Sequence, residues 1–468
     1  MSPDFVRSFC GAIARIFQDK TGAIATMVAI ALPGLIGIGA LGAETGVWFT
    51  IKIQNQSAAD SAAISVAYKV IAGRTDVTGE LTAAADEAAR RNGYKGSMPV
   101  VVYPYSDAVV SNGVAVDLQQ TQAALISAMF LPSITVATRA VAVIEVLDNP
   151  CILALGESST DVEVADFTQL DMPNCSVAAS SVSSSAIELH GSTSSIAAAT
   201  LVTAGEIASQ GNPINPAAPP PEFALTSPPM IGAPPVPDPY ASVLTHTFLI
   251  AGMPATPNCN PANLGYTTTY GGNCVVAGAS LTQPQILLSA NTQISGPWNI
   301  ASSQTVDLSP GTYWITGNLS VQSSGVLKCS SCGNVKGTGV TIILTAQANQ
   351  VGAVSVDPGA MLNLSAPNSG QFAGLVIIQD SNNLPPGTTY ASRHSMVGGA
   401  PGATLNGLVY FPNSSLTFHG TSSASGPPCL LLVVRSLNVD AASHLETGGC
   451  ASAGLANLPV ISTVALAE

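Results

Sequence analysis

Residues 21–43, TGAIATMVAIALPGLIGIGALGA, hold no charged side chain, and Lys20 and Glu44 close the run on either side. An apolar stretch of this length matches the roughly 20 residues an α-helix needs to cross a hydrocarbon layer of about 30 Å, whereas the apolar part of a secretory signal is usually about 7–15 residues. The segment therefore reads as a retained membrane-spanning helix. Cleavage after Gly42, where Ala40 and Gly42 are small enough for a signal-peptidase site, is the competing reading. Pro33 removes one backbone donor in mid-run and bends such a helix without ending it. Arg7, Arg15 and Lys20 precede the run, and only Lys52 is basic in the 20 residues after it. The inside-positive bias leaves residues 1–20 as a cytoplasmic tip and places the chain beyond about Glu44 outside the cytoplasm.

Cysteine placement agrees with that direction. Cys151, Cys175, Cys259, Cys274, Cys329, Cys332, Cys429 and Cys450 all follow the run, and only Cys10 precedes it. An even set in an oxidising space reads as a disulfide framework, with sequence neighbours as the expected partners: 151 with 175, 259 with 274, 329 with 332, and 429 with 450. The motif KCSSCG at Cys329 and Cys332 has two further readings, half a zinc site or a redox dithiol. A single CxxC without a second pair or nearby histidines is weak evidence for zinc, and a strand-and-turn context lacks the helix start that depresses a thiol pKa. No metal or cofactor is expected. Charge is scarce, at 9% of residues, and residues 151–468 carry 4 Lys+Arg against 15 Asp+Glu, which argues against a nucleic-acid partner.

After the span, WFTIKIQNQSAADSAAISVAYKVIAG has no Pro or Gly before Gly73. Ala58, Ala62, Val66 and Ala59, Ala63, Ala67 form adjacent stripes at four-residue spacing, one smooth helix face on which another helix can sit closely. That partner is either ELTAAADEAARRNGY (residues 80–94) or another subunit. Helix from about residue 21 to 72 would be about 75 Å long. Residues 97–148 change period: MPVVVYPY, AVVSNGVAVDL and ITVATRAVAVIEVL alternate as strands, and QTQAALISAMF between them is expected to form a short helix. Residues 44–148 thus make a helical stalk and a small α+β module.

The basic tip, GAIATMVAIALPGLIGIGALGAETG, QNQSAADSAAISVA, the Ala-rich helix ending RRNGY, and ITVATRAVAV together resemble TadG-like proteins (TadE/TadG family) of the tight-adherence (Flp) pilus assembly system. The resemblance covers about residues 10–150 and continues more loosely through PCILALGESS, NCSVAASSVSSSAIELHG and LNGLVYFPNSSLTFHG. It implies a single-pass inner-membrane protein with most of its chain in the periplasm, working with other pilus-assembly envelope proteins. The chain departs from related pseudopilins: five residues after Gly22 stands Met27 where a prepilin-peptidase substrate carries Glu, so no such processing is expected.

Beyond Cys151 the pattern is β. GVTIILTA, GLVIIQD, LNGLVYFP and CLLLVVRSLNV are aliphatic runs parted by Gly, Ser, Asn and Pro, and uninterrupted runs mean strands covered on both faces. The expected architecture is an all-β body, an irregular parallel β-helix or solenoid, with a β-sandwich as the alternative. A first β segment spans residues 149–209, and the main body spans residues 244–468. Between them the proline-dense residues 210–243 run extended, as a surface strap or as a linker, with Phe223, Met230 and Tyr240 available to pin them. Catalysis is not expected. The acids are isolated, Asp307 and Asp357 look like turn formers, and His190, His246, His419 and His444 are far apart. The Gly-rich loop 387–403, with Arg393 and His394, is the place to look first if a site exists. No nucleophile elbow, phosphate loop or HExxH motif occurs. The Ser, Thr and Asn-rich β surface suits glycan or protein contacts. The alternative function is an envelope protein that binds or cleaves polysaccharide.

Overall fold

The computed structural model describes residues 23–71, 79–107, 110, 113–124, 127–129, 132–146, 150–165, 167–191, 193–233, 235–332, 338–347, 349–381, 384, 387–397, 404–422, 429–446 and 462–467. The basic tip, Cys450, Lys336 and residues 398–403 lie outside them. The chain divides into two units, residues 1–145 with 464–468, and residues 146–463.

In the first unit, helix α1 (Ala23–Ile71) is continuous through Pro33, and α2 (Glu80–Arg91) returns beside it. Ala58, Ala59, Ala62, Ala63, Val66 and Ala67 are fully buried and share one core with Leu81, Ala85 and Ala89 of α2. The small-residue face is thus filled within the chain, because side chains no larger than valine let the two helices approach closely. Strands β1 (Val100–Tyr105), β2 (Gly113–Ala123) and β3 (Ser133–Val146) form an antiparallel sheet that adds Val114, Val116 and Leu118 to the same core. The expected helix over QTQAALISAMF is a correction: Gln120–Ala123 continue β2, paired residue for residue with Ser133–Val136, and among the described residues that follow only Ser127–Met129 form a helical turn, of 3-10 type. Pairing with β3 outweighs the local helical propensity of that segment.

Among the described residues, α1 alone is long and apolar enough to cross a membrane. Leu32, Leu35, Ile36, Ile38, Val47, Phe49 and Ile53 are exposed, although Glu44 lies among them. Glu44 is turned inward, with its Oε2 accepting the Ser127 N–H at 2.9 Å, so the outward apolar surface continues past it. From Leu32 to Phe49 that surface measures about 26 Å at about 1.5 Å per residue, and exposed Lys52 lies beyond it.

The second unit is built of short strands paired in parallel along three faces. On the first face, Cys274–Ala277, Thr292–Ser295, Gly311–Ile315, Val340–Leu344 and Leu375–Gln379 follow one another, then residues 407–411 and 430–434. The next strand in space is Pro150–Ala154, with Leu432 opposite Ile152 and Val434 opposite Ala154, and Ser176–Ala179 and Leu201–Thr203 complete the face. The second and third faces repeat this junction: Leu437 lies opposite Val162 and His444 opposite Gln169. The last turn of the chain therefore packs against the first, and residues 149–209 and 267–446 are two parts of one stack. The sequence boundary at residue 244 does not separate them.

This order obliges residues 231–257 to run back from one end of the stack, where Met230 bridges Val202, to the other, where Asn258 bridges Val275. The path crosses eleven strand spacings, about 53 Å at about 4.8 Å each, well within the reach of 27 extended residues. Alternate side chains of the first face, Ile343, Ile378, Tyr410, Leu431 and Val433, point outward into a core shared with Val236, Tyr240, Leu244 and Leu249 of this segment. Their neighbours Ile342, Ile377, Val409, Leu432 and Val434 point into the stack. The segment is a strap, and it supplies the second cover that the uninterrupted aliphatic runs require. Earlier in the proline-rich stretch, Phe223–Leu225 is itself a strand, paired with Ser195–Ala198.

Disulfides Cys151–Cys175, Cys259–Cys274 and Cys329–Cys332 are formed. The first joins adjacent turns of the stack, and the second secures the end where the strap re-enters it. Cys429 is also disulfide-bonded; Cys450, its expected partner, lies outside the described residues.

Val434 is fully buried between Phe411 and Ala154 at the junction of the two parts. Val434→Asp is expected to destabilise the second unit by more than about 3 kcal/mol, because it places an unpaired charge there. Urea unfolding followed by the fluorescence of buried Trp298 and Trp314 measures it.

Candidate functional site

Polar groups concentrate where the strap meets the first face. Helix α3 (His246–Leu249) begins at Thr245, whose hydroxyl accepts the Phe248 N–H at 3.3 Å. Trp314 Nε1 donates to the Leu249 carbonyl at 2.9 Å, and Gln371 Nε2 donates to the Phe248 carbonyl at 3.1 Å. Further back along the strap, the Ser180 hydroxyl donates to the Val236 carbonyl at 2.9 Å. Asp238 accepts from the Tyr410 hydroxyl at 2.6 Å and from Tyr240 N–H at 2.9 Å. The strongest anchor is His246 Nδ1, 2.6 Å from Asp380 Oδ2. Asp380 is fully buried, its Oδ2 also accepts from the Thr345 hydroxyl at 2.8 Å, and its Oδ1 has no partner. Burial raises its pKa, against the lowering effect of His246 and Thr345.

His394 corrects the expectation of a loop at 387–403. Residues Arg393–Val397 form a strand paired with residues 415–419, and the imidazole is fully buried, stacked on Phe411 with centroids 3.8 Å apart. Val354 N–H donates to Nδ1 at 3.0 Å, and Nε2 lies 3.3 Å from the Gln379 amide, which in turn bonds Ser414. Desolvation lowers the His394 pKa to about 3, so the ring is neutral and serves as an acceptor for the backbone. It has no access to substrate.

His190 and His419 are paired with carboxylates rather than isolated, and the side chain of His444 lies outside the described residues. His190 Nε2 lies 3.2 Å from Glu188 and 3.9 Å from Glu163, which stand opposite each other on the second face, and His419 pairs with Asp440. Asp307 is in a strand, where its Oδ1 accepts the Ser330 N–H at 2.8 Å; Asp357 does begin a turn, closed by Ala360 N–H. Among the described residues no three His, Cys, Asp or Glu side chains are grouped as a metal site.

Two clefts flank the strap. One, of about 520 Å³, lies between Pro235–Asp238 and the corners at Gly156, Ser180 and Asn413. Beneath it Asp161 is fully buried; its Oδ2 accepts Ser181 N–H at 2.9 Å, and its backbone carbonyl accepts Leu437 N–H at 2.7 Å across the junction of the two parts. Gly156 makes room for this carboxylate, since a Cβ there would stand 1.8 Å from Oδ1. Burial pushes the Asp161 pKa up to about 6, against three backbone N–H groups that lower it. The other cleft, of about 490 Å³, lies beside Ala251 and Gly252, and among the described residues no ionisable side chain lines it. Neither cleft includes the Glu163, Glu188 and His190 group. No family model, curated protein or solved structure matches this chain.

The strap anchors and the buried polar cluster escaped sequence reading because their partners stand 15 to 172 residues apart. Phe223, Met230 and Tyr240 were legible as anchors because large apolar residues in a proline-rich stretch have to be covered.

Two opposite pH effects follow. Between about pH 3 and 6.5 the unfolded chain binds a proton at residue 394 that the native state refuses, so stability is lost as pH falls, by up to about 4–5 kcal/mol. Between about pH 4 and 6 the native state holds a proton at Asp161 that the unfolded chain releases, so this group adds stability as pH falls, up to about 3 kcal/mol. Asp380, also raised by burial, acts in the same sense as Asp161. Asp161→Asn is expected to lose stability on acidification more steeply than the unaltered chain, in urea titrations at pH 7, 5.5 and 4. Separately, His246→Ala leaves buried Asp380 without its partner. It is expected to cost about 1–3 kcal/mol and to make residues 231–257 the first site of limited proteolysis.

Proposed function

We propose that this chain is a membrane-anchored, non-catalytic structural or accessory component of Flp/Tad-type pilus assembly, TadG-like in kind. In this reading α1 crosses the bacterial inner membrane once with its N-terminus in the cytoplasm. The second unit, a parallel β-helix, then stands in the periplasm or beyond and offers surface for protein or glycan contacts in the envelope.

The observation that carries the reading is the division of α1. Its first half presents an apolar surface from Leu32 to Phe49, with exposed Lys52 beyond it, and its second half is buried in a folded module from Asn55 to Ala67. A signal to be discarded has no reason to be one helix with the core of the module that follows. Disulfides in the second unit support an oxidising compartment. Parallel registers between successive turns on three faces support the β-helix over a β-sandwich, whose sheets are antiparallel. Support for a non-catalytic role comes from the described histidines and buried carboxylates, which are engaged in holding the strap, the backbone or each other.

Protease treatment of spheroplasts carrying an N-terminally tagged chain tests the topology: digestion of the second unit with a protected tag is expected. A tag absent from intact membranes, or a protected second unit, overturns it. Deletion of the gene in its own host is expected to abolish or reduce surface pili, and unchanged piliation overturns the pilus assignment.

A further inference from the structure

The cleft beside Ala251 and Gly252 lies where the third face turns into the first, at the corners around Asn291, Pro310 and Thr338. We propose that this cleft is a binding site for neutral saccharides, taking one or two sugar rings. The proposal rests on the contact role assigned above to the second unit, and gives that role a ligand class and a place.

Its volume of about 490 Å³ falls in the range of small-ligand sites, about 300–1,000 Å³. Among the described residues the lining contains no Asp, Glu, Lys, Arg or His, in a chain of net charge −13. A phosphate, a uronate or an ammonium group would be desolvated against these described residues without a counter-charge, at a cost of several kcal/mol. Hydroxyl and amide groups are plentiful instead, from Asn291, Thr312, Thr338, Ser369 and Gln371. Asn291 Nδ2 already bonds Asn273 Oδ1 at 3.3 Å and Gln371 Nε2 bonds the Phe248 carbonyl, which fixes both amides and leaves their oxygens as acceptors for hydroxyl donors. Pro310, Pro367 and Phe372 add apolar wall. A pyranose ring, with hydroxyls at its rim and C–H groups on its faces, matches that combination.

Two other occupants fit less well. A wholly apolar ligand would meet hydroxyl and amide groups that it cannot hydrogen-bond. An extended peptide would bind through a strand edge, and the strands at this corner, Gly311–Ile315 and Val340–Leu344, are paired on both sides.

The test is ligand-observed NMR and calorimetry on the full chain, in a detergent without a sugar headgroup. The probes are cellobiose, maltose and N,N′-diacetylchitobiose, with digalacturonate as the acidic control. At least one neutral disaccharide is expected to bind with a Kd of about millimolar or tighter, and digalacturonate at least about tenfold more weakly. Ser369 is exposed, so Ser369→Trp fills the cleft without touching the core and is expected to abolish binding with an unchanged melting curve. Thr312→Val, which removes one hydroxyl, is expected to weaken it about three- to tenfold. Binding of none of the neutral probes, equal binding of digalacturonate, or unchanged binding in Ser369→Trp overturns the site. Topology and piliation are read by other experiments, so failure here is distinguishable from failure of the envelope role.

Discussion

The structure depends on pairing between the last turn of the chain and the first. Leu432 opposite Ile152, Leu437 opposite Val162 and His444 opposite Gln169 join strands across all three faces, and Asn438 donates to Glu163 over a separation of 275 residues. Without that contact each part of the stack ends in a row of open backbone groups, one at residues 430–446 and the other at residues 150–172. Such edges bind water or other chains. With it, the two parts become one body, and chain entry and exit lie in neighbouring strands in the middle of the stack. Pairing over this distance carries a loop-closure cost that grows only slowly with length, so separation slows formation more than it weakens the product.

The strap follows from that order. A chain that builds one part of the stack outward from its middle, then has to start the other part at the opposite end, must cross the whole first face. The crossing segment turns an aliphatic surface into a second core, and its proline content suits a path that pairs with no ladder. Hydrogen bonds from Ser180, Tyr410, Trp314 and Gln371, with the His246–Asp380 pair, are spaced along it. The chain's final strand, Ser462–Ala467, lies beside β3 in the sheet of the first unit, with Val464 packed on its core. That unit is therefore completed only once the whole body has been made.

Sequence reading captured what depends on local pattern. A charge-free run followed by small residues at four-residue spacing gave one long helix and its buried face. The local cysteine pairs at 151–175, 259–274 and 329–332 formed between positions that the turns bring side by side. The order of the turns was not legible, because each is irregular in length and no repeat period marks which strands are neighbours. Gln120–Ala123 misled because polar residues with good helical propensity were captured by β3. His394 misled because Ser, Arg and His in succession look like a loop, and only the stacking partner Phe411 and the donor Val354 N–H, both distant in sequence, make burial of an imidazole tolerable. The uncharged cleft had no signature at all, since its lining comes from corners spread over more than 120 residues.

Disulfide trapping between Asn438→Cys and Glu163→Cys tests the junction most directly. These positions are register partners on adjacent parallel strands, about 4.8 Å apart, inside the Cα range a disulfide tolerates. Residue 188 is one strand further on, at about 10 Å, and lies outside it. A 438–163 crosslink is expected under mild oxidation, identified by peptide mass before and after reduction, with no 438–188 crosslink in the matching variant. Absence of the first link, or equal yield of the second, would contradict the junction.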